Sequence, residues 1–344
     1  MNKKKTYINL GIVFALTLAV LVWLLHDDFE TTLSVLKTSN PLYLIGALAA
    51  FITTLFTSSW ILLNWVRLFK PNFTFSNMFR SNFLAVFARN VTPMQSGGQP
   101  MNVYVLNTFG VNVETSVFIL SIDFVVFQTA QVLFSLVWIL LYLPYYRSNN
   151  VLFWGVILGF AINSGLLVCL YLLVSSARLH RFIGKYGVKL LTKIKIVKHP
   201  DTIMDKVEQK ISEFSQSLSY LKDHKGVVVK NLCIVLMGLM FTHSIPYLIA
   251  HTLNIPVGIE HYFEFVALSV FVSTYNALLP MPGGTGGLES VFMMMYGGFV
   301  GITHQNAFMI LWRFVTYYFI VIAGAIYFVI FTSKKNLEHT DSKM

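Results

Sequence analysis

The chain alternates long apolar segments with shorter polar stretches. An α-helix needs about 20 apolar residues to cross a membrane, and six segments reach this length. They lie at 7–25, 41–66, 115–143, 150–175, 227–253 and 305–332. This pattern predicts an all-α, polytopic integral membrane protein with about six spanning helices.

Two further regions, 74–110 and 260–301, are apolar but are interrupted by the glycine-rich stretches 96–98 and 282–287. Each arm of these regions is short for a full span. Broken backbone at membrane depth is tolerated only inside the protein or beside a water-filled cavity. The pattern therefore predicts two re-entrant helical hairpins, each with a glycine-rich tip.

The positions of Lys and Arg predict the orientation of the chain, because loops rich in these residues face the cytoplasm. Lys3, Lys4 and Lys5 precede the first segment, and the densest basic cluster lies within 176–226. All charged loops agree only if both hairpins are re-entrant. Both termini are then cytoplasmic, and the two hairpins enter from opposite faces as inverted repeats.

This orientation divides the chain into three predicted parts: two membrane halves and a cytoplasmic segment between them. A first membrane half, 1–175, contains hairpin 74–110, and a second membrane half, 227–344, contains hairpin 260–301. Between them, 176–226 is a basic cytoplasmic segment with apolar residues at helical spacing, including Val207, Ile211 and Phe214. An amphipathic helix on anionic headgroups is one interpretation; a segment that only determines topology is the other.

Composition excludes an ordinary soluble domain. The 344 residues are 56% hydrophobic and 12% charged, whereas soluble domains contain about 25% charged residues. The net charge of +10 is unaccompanied by a nucleic-acid-binding motif. It therefore favours anionic membrane lipid over nucleic acid as a partner.

The glycine-rich stretches are candidate anion sites. Glycine lets other groups approach the backbone closely, and a helix that begins after such a loop points unsatisfied N–H groups at its tip. The alternative is that these glycines only allow two helices to cross closely. Two clusters, each preceded by proline and each at a predicted hairpin tip, favour a binding site.

Charged residues inside apolar segments are candidate site residues as well, because a charge at the bilayer centre costs from about 2.5 kcal/mol upward. Glu289 lies in the first turn after the second glycine cluster, where capping of the helix is its structural alternative. Arg313 is predicted to pair with Glu289 or Asp123, or to bind a lipid phosphate.

No catalytic residue, metal site or cofactor is predicted. The predicted substrate-binding residues are Gly97, Gly98, Gln99, Asn102, Asp123, Pro282, Gly283, Gly284, Gly286, Gly287, Glu289 and Arg313.

Both glycine-rich motifs resemble those of a known family. The run from Thr92 to Pro100, TPMQSGGQP, resembles the first-half signature of the lysylphosphatidylglycerol synthase transmembrane-region family. The run from Leu279 to Glu289, LPMPGGTGGLE, with Arg313 downstream, resembles its second-half signature. The resemblance extends over roughly residues 7 to 332.

The family includes the membrane half of the multiple peptide resistance factor, which moves aminoacylated phosphatidylglycerol to the outer leaflet, while a separate soluble domain transfers lysine to the lipid. The resemblance thus implies a stand-alone flippase in a bacterial-type plasma membrane. This chain ends soon after segment 305–332, so no synthase domain and no enzymatic activity are expected in it.

The sequence differs from the common family pattern at Gln99, where many members have an acidic residue, and around Asn102, where no arginine follows. This difference leaves the identity of the lipid open. Two other functions stay open: lipid aminoacylation with a separate catalytic subunit, and transport of a small soluble anion. Membrane phospholipids are the expected partners, and a lipid synthase, a glycosyltransferase or a second copy of the chain are candidate protein partners.

Overall fold

The computed structural model describes Ser34, residues 37–92, 95–175, Gln216, and residues 219–275 and 287–341. Within these residues the chain forms helices and no β-strand, which confirms the all-α prediction. The helices are α1 (Pro41–Val66), α2 (Phe75–Val91), α3 (Gly98–Thr108), α4 (Val113–Tyr142), α5 (Asn150–Ser175), α6 (Lys225–Thr252), α7 (Tyr262–Tyr275), α8 (Gly287–Arg313) and α9 (Phe319–Asp341), and a π-helical segment, Phe314–Tyr318, joins the last two.

Four helical stretches of the described residues are long and apolar enough to cross a membrane. They are Pro41–Val66, Val113–Tyr146, Lys225–Thr252 and Gly287–Ser333. These stretches contain or nearly match four of the six predicted spans, and α5 matches a fifth by its bounds. The chain is therefore a multi-pass helical membrane protein. The predicted span 7–25 lies outside the described residues, so the total of six stays a prediction.

The region of the first predicted hairpin contains two helices with a break between them. α2 has 17 residues and α3 has 11, and both are shorter than the roughly 20 residues that a span needs. In the second region α7 has 14 residues. The predicted tip, 282–287, lies outside the described residues except for Gly287, which begins α8. The helical arms are as predicted, whereas their re-entry from opposite faces stays a prediction.

α8 is interrupted at Gly301, which has φ 66° and ψ 155°. A side chain beyond glycine is strained at such a positive φ. In a straight helix, at about 1.5 Å per residue, Phe292 and Trp312 would be about 30 Å apart along the axis. Instead Phe292 stacks on Trp312 with ring centroids 4.1 Å apart. Gly301 is therefore a turn, and the parts of α8 before and after it lie side by side.

The chain packs into two compact units, neither of which is one continuous stretch. The first unit contains the described parts of residues 1–56, 79–105 and 238–344, and the second those of 57–78 and 106–237. The division predicted from sequence, at 175 and 226, follows order along the chain and stays a prediction.

In the first unit a glycine lets two helices pack closely. Gly324 of α9 faces Phe87 of α2 so tightly that a Cβ at Gly324 would lie 2.5 Å from the Cβ of Phe87. On either side of this contact, Phe83 meets Tyr327 and Phe87 meets Phe328 at ring-centroid distances of 5.7 and 6.2 Å. The second half of the chain thus supports α2, the helix that precedes the first glycine-rich break.

The second unit is held by amide side chains between helices. Nδ2 of Asn64 in α1 donates to Oδ1 of Asn231 in α6 at 2.6 Å, and Asn231 is fully buried. Nε2 of Gln128 in α4 donates to the carbonyl oxygen of Asn163 in α5 at 3.0 Å. Interhelical hydrogen bonds of this kind stabilise helix association where lipid supplies no hydrophobic driving force.

The end of the predicted basic segment packs on the second unit. Tyr220 stacks on Phe69 at 5.6 Å and meets the edge of Phe118 at 5.4 Å. Burial by these neighbours raises the pKa of the Tyr220 phenol. Residues 176–215 lie outside the described residues, so an amphipathic helix there stays a prediction.

We expect Gly324→Ala to lower the free energy of unfolding by about 1–3 kcal/mol, because the added methyl group meets the root of a buried side chain rather than its flexible end. Gly298→Ala is the matched control. Gly298 is helical and exposed, with nothing within 4 Å of a Cβ, so this change is neutral or stabilising. Denaturant titration in detergent micelles measures both, and equal effects would contradict the close contact.

Candidate functional site

The first glycine-rich break is closed by a threonine hydroxyl. Oγ1 of Thr92 accepts a hydrogen bond from the backbone N–H of Gly97 at 2.8 Å and donates to the carbonyl oxygen of Ala88 at 2.8 Å. Gln95 has φ 57°, so the chain turns sharply between these residues. The bonds fix the start of α3 against the last turn of α2.

The two glycines of this break lie where side chains would not fit easily. A Cβ at Gly97 would be 2.7 Å from Cγ2 of Thr92 and 3.0 Å from the carbonyl oxygen of Ala88. A Cβ at Gly98 would be 3.2 Å from the Cβ of Arg89. Both glycines therefore allow close packing, and their predicted role in ligand binding stays a prediction.

Gln99 and Asn102, one turn apart on α3, have different surroundings. Oγ of Ser81 in α2 donates to Oδ1 of Asn102 at 2.6 Å, and Asn102 is buried. Gln99 is exposed in the first turn of α3. Asn102 thus ties the two arms together, whereas Gln99 is accessible to a ligand.

The remaining predicted residues of the second half are only partly described. Pro282, Gly283, Gly284 and Gly286 lie outside the described residues, and Gly287 begins α8. Asp123 is partly buried in α4 of the second unit. Its predicted pairing with Arg313 was one of three alternatives, and the acidic partner that the structure gives Arg313 is a different residue.

That partner is Glu289. Nε of Arg313, the last residue of α8, lies 2.7 Å from Oε1 of Glu289 in its first turn, and the two side chains are 4% and 5% exposed. The turn at Gly301 brings these distant ends together. The contact is an ion pair between two buried, oppositely charged side chains.

Aromatic rings enclose the guanidinium. Cζ of Arg313 lies 5.0 Å from the ring centroid of Trp312 and 5.6 Å from that of Tyr317. Cation–π contacts with desolvated rings stabilise a positive charge by about 2 kcal/mol. Because Trp312 is itself stacked on Phe292, the rings keep the guanidinium in place beside Glu289.

The first break lies next to this charged pair. Val91, the last residue of α2, packs against Tyr317, Tyr318 and Val321. Tyr317 and Tyr318 belong to the π-helical segment that directly follows Arg313. Both interact electrostatically with Arg313 and Glu289. The first unit thus contains the first break, the start of α8 and the charged pair as neighbours.

Similarity to known proteins extends over most of the chain. Residues 8–324 match the family described as the lysylphosphatidylglycerol synthase TM region. The chain belongs to this family. A UPF0104 membrane protein from Archaeoglobus fulgidus is 25% identical over 338 residues, which cover 92% of this chain and 94% of that protein. No solved structure matches the chain significantly.

The candidate site contains buried polar atoms without a described hydrogen-bond partner. Oε2 of Glu289 and the hydroxyl of Tyr318 are buried, and none of the described residues bonds to either. Buried polar atoms are nearly always satisfied, so such exceptions often mark a site that binds something. Among the described residues, no three His, Cys, Asp or Glu side chains are grouped so as to hold a metal ion.

The aromatic part of the candidate site is not evident from the sequence, since Tyr317 and Tyr318 resemble ordinary packing or interfacial residues. One signal was available, because Tyr317 follows Arg313 by one helical turn and shares its face. The π-helical segment that also brings Tyr318 there is a tertiary feature. Such segments occur frequently at functional sites.

We expect Gly97→Ala to destabilise the protein by about 1–3 kcal/mol, because the methyl group overlaps Thr92. Adding Thr92→Ala removes the overlap, so the double variant should lose less than the two single losses combined. Gly165→Ala is the control, with nothing within 4 Å of its Cβ. Unfolding in detergent measures all four variants, and strict additivity would exclude the predicted clash.

Replacing one residue of the charged pair should lower the free energy of unfolding, whereas replacing both should have little effect. Arg313→Met leaves Glu289 buried without its counter-charge and should cost about 3–5 kcal/mol of unfolding free energy. Glu289→Leu should cost a similar amount. The double variant should recover most of the wild-type stability, since it buries no charge. If the double variant is as unstable as the sum of both, the pair is not the source of the loss.

Proposed function

We propose that the protein translocates an anionic or aminoacylated phospholipid between the two leaflets of a bacterial-type plasma membrane. The headgroup is received at Arg313, near the first glycine-rich break and the start of α8. The observation that supports this most directly is the buried Glu289–Arg313 pair, 2.7 Å apart, within membrane-spanning helices.

A buried ion pair is weak evidence for stability, because the desolvation of two charges offsets their attraction. Well-packed apolar residues would serve structure as well. Charged residues in membrane-spanning segments are therefore functional candidates by default. This favours a role in binding for Glu289 and Arg313.

The chemistry around Arg313 suits a phosphate. A guanidinium binds two phosphate oxygens at once, and the N-terminus of a helix presents free N–H groups and a positive dipole end. In the first unit Arg313 lies against the first turn of α8, which supplies both features in one place. A phosphodiester of a lipid headgroup has the matching charge and geometry.

Short helical arms beside this site suit a path for the headgroup. α2, α3 and α7 are shorter than a full span, and non-helical backbone is tolerated at membrane depth where it lines a cavity. Many transporters bind their substrate between such broken helices in inverted repeats. The predicted opposite orientation of the two hairpins would expose the site alternately to each leaflet.

Reconstitution into vesicles tests the proposal. Vesicles contain phosphatidylglycerol labelled on an acyl chain, and a membrane-impermeant reductant destroys the label in the outer leaflet. The wild-type protein should make the inner-leaflet label accessible. The Arg313→Met, Glu289→Leu double variant should lower this rate about tenfold or more, because it removes a charged contact worth about 1.5–3 kcal/mol.

Gly298→Ala is the control and should translocate at the wild-type rate. A folded wild-type protein that moves no labelled phospholipid would contradict the proposal. Passage of a soluble phosphate ester without lipid movement would favour the small-anion transporter. A changed amount of aminoacylated lipid in total extracts, rather than a changed leaflet distribution, would favour the lipid-modifying function.

A further inference from the structure

The carboxylate of Glu289 occupies a position that suits an anion. It lies in the first turn of α8 and 2.7 Å from the guanidinium of Arg313. A helix N-terminus and an arginine are also the two groups that bind a phosphate most readily. An anionic headgroup that enters this site therefore competes with the carboxylate of the protein itself.

Charge balance makes this competition depend on a proton. The Glu289–Arg313 pair is neutral as a unit, and the side chains are almost fully buried. A phosphate that joined the pair would leave one uncompensated negative charge in the interior, which is strongly unfavourable. If Glu289 takes up one proton, the site with its phosphate is neutral again, and the carboxylate no longer repels the ligand.

The described contacts of the Glu289 carboxylate are few. Arg313 is the cation that contacts it, and none of the described residues donates a hydrogen bond to Oε2. Once Arg313 turns to a phosphate, the carboxylate loses its main stabilising contact. A protonated carboxyl group gains a donor, which it can direct to the incoming phosphate.

The other titratable groups nearby do not replace this role. Tyr317 and Tyr318 follow Arg313, and their phenols interact electrostatically with Arg313 and Glu289. On the packed helix α7, Glu264 pairs with His261 at 3.1 Å, and the hydroxyl of Tyr262 bonds to Ser244.

Two further groups lie on neighbouring elements. Tyr275 ends α7, and Arg89 lies exposed at the end of α2 beside Gly98. Neither is an acid that can exchange places with a phosphate at Arg313. Glu289 is thus the group of this site whose protonation balances a bound anion.

We propose that Glu289 is a proton-binding residue whose protonation accompanies the binding of an anionic phosphate headgroup to Arg313. This inference rests on the proposed function and adds a proton as a co-substrate. No covalent bond changes in the lipid: the carboxylate accepts a proton from solvent as the phosphate takes its place, and returns it when the phosphate leaves. Headgroup binding is therefore favoured on the more acidic side of the membrane.

Calorimetry counts the proton directly. Full-length protein in neutral detergent is titrated with short-chain phosphatidylglycerol, at one pH, in buffers that differ in ionisation enthalpy. The dependence of the binding enthalpy on the buffer gives the number of protons taken up, which we expect to be about one per headgroup. The dissociation constant should correspondingly rise about tenfold for each unit of pH increase.

Variants assign the proton to its residue. Glu289→Gln should bind the lipid at least as tightly as wild type, with no proton uptake and no dependence on pH. Glu264→Gln, which removes an acid outside the site, should keep the wild-type proton count. Uptake that persists in Glu289→Gln would overturn the assignment, and the wild-type count decides the inference even if this variant fails to fold.

The outcomes separate this inference from the proposed function. Lipid binding without proton uptake in the wild type overturns the inference alone. No lipid binding at all contradicts the proposed function, and the inference falls with it. A parallel titration with glycerol phosphate distinguishes a lipid from a free phosphate ester: equal affinity and equal proton uptake would support proton linkage with a soluble ligand.

Discussion

A charge in a membrane interior is stable only beside a counter-charge, and much of the first unit can be understood from this constraint. Arg313 and Glu289 lie near opposite ends of α8 and meet because Gly301 turns the helix back on itself. Stacked rings on both arms hold the turn closed. The pair therefore depends on a single backbone conformation that suits glycine.

Glycine has a second role in this family member, since it allows the close helix contacts that position the first glycine-rich break. Gly324 lets α9 approach Phe87 of α2, and Gly97 lets α3 start directly against Thr92. In lipid, such close backbone contacts replace the hydrophobic driving force that is missing between helices. Close helix packing is thus one reason for glycine at these positions.

Sequence alone predicted much of the helical architecture, because the need for about 20 apolar residues leaves a long, unmistakable pattern. Segment 41–66 coincides with α1, and the break at 96–98 separates α2 from α3. Glu289 and Arg313 were predictable as candidate residues for a related reason, because charges in apolar segments are energetically costly and therefore rare. Whether Glu289 or Asp123 is the acidic partner of Arg313 was not predictable, since this depends on which residues are close together in the folded chain.

The tertiary structure determined which residues that are distant in sequence contact each other. The turn at Gly301 pairs two residues from opposite ends of one helix, and Val91 places the first break against Tyr317 and Tyr318. Neither contact has a periodic signature, because both join parts of the chain that are distant in sequence. The sequence by itself thus determined the membrane class, the helical arms and the candidate charges, through the cost of polar groups in lipid. Only the packing of those arms determined that the charges form a single buried site.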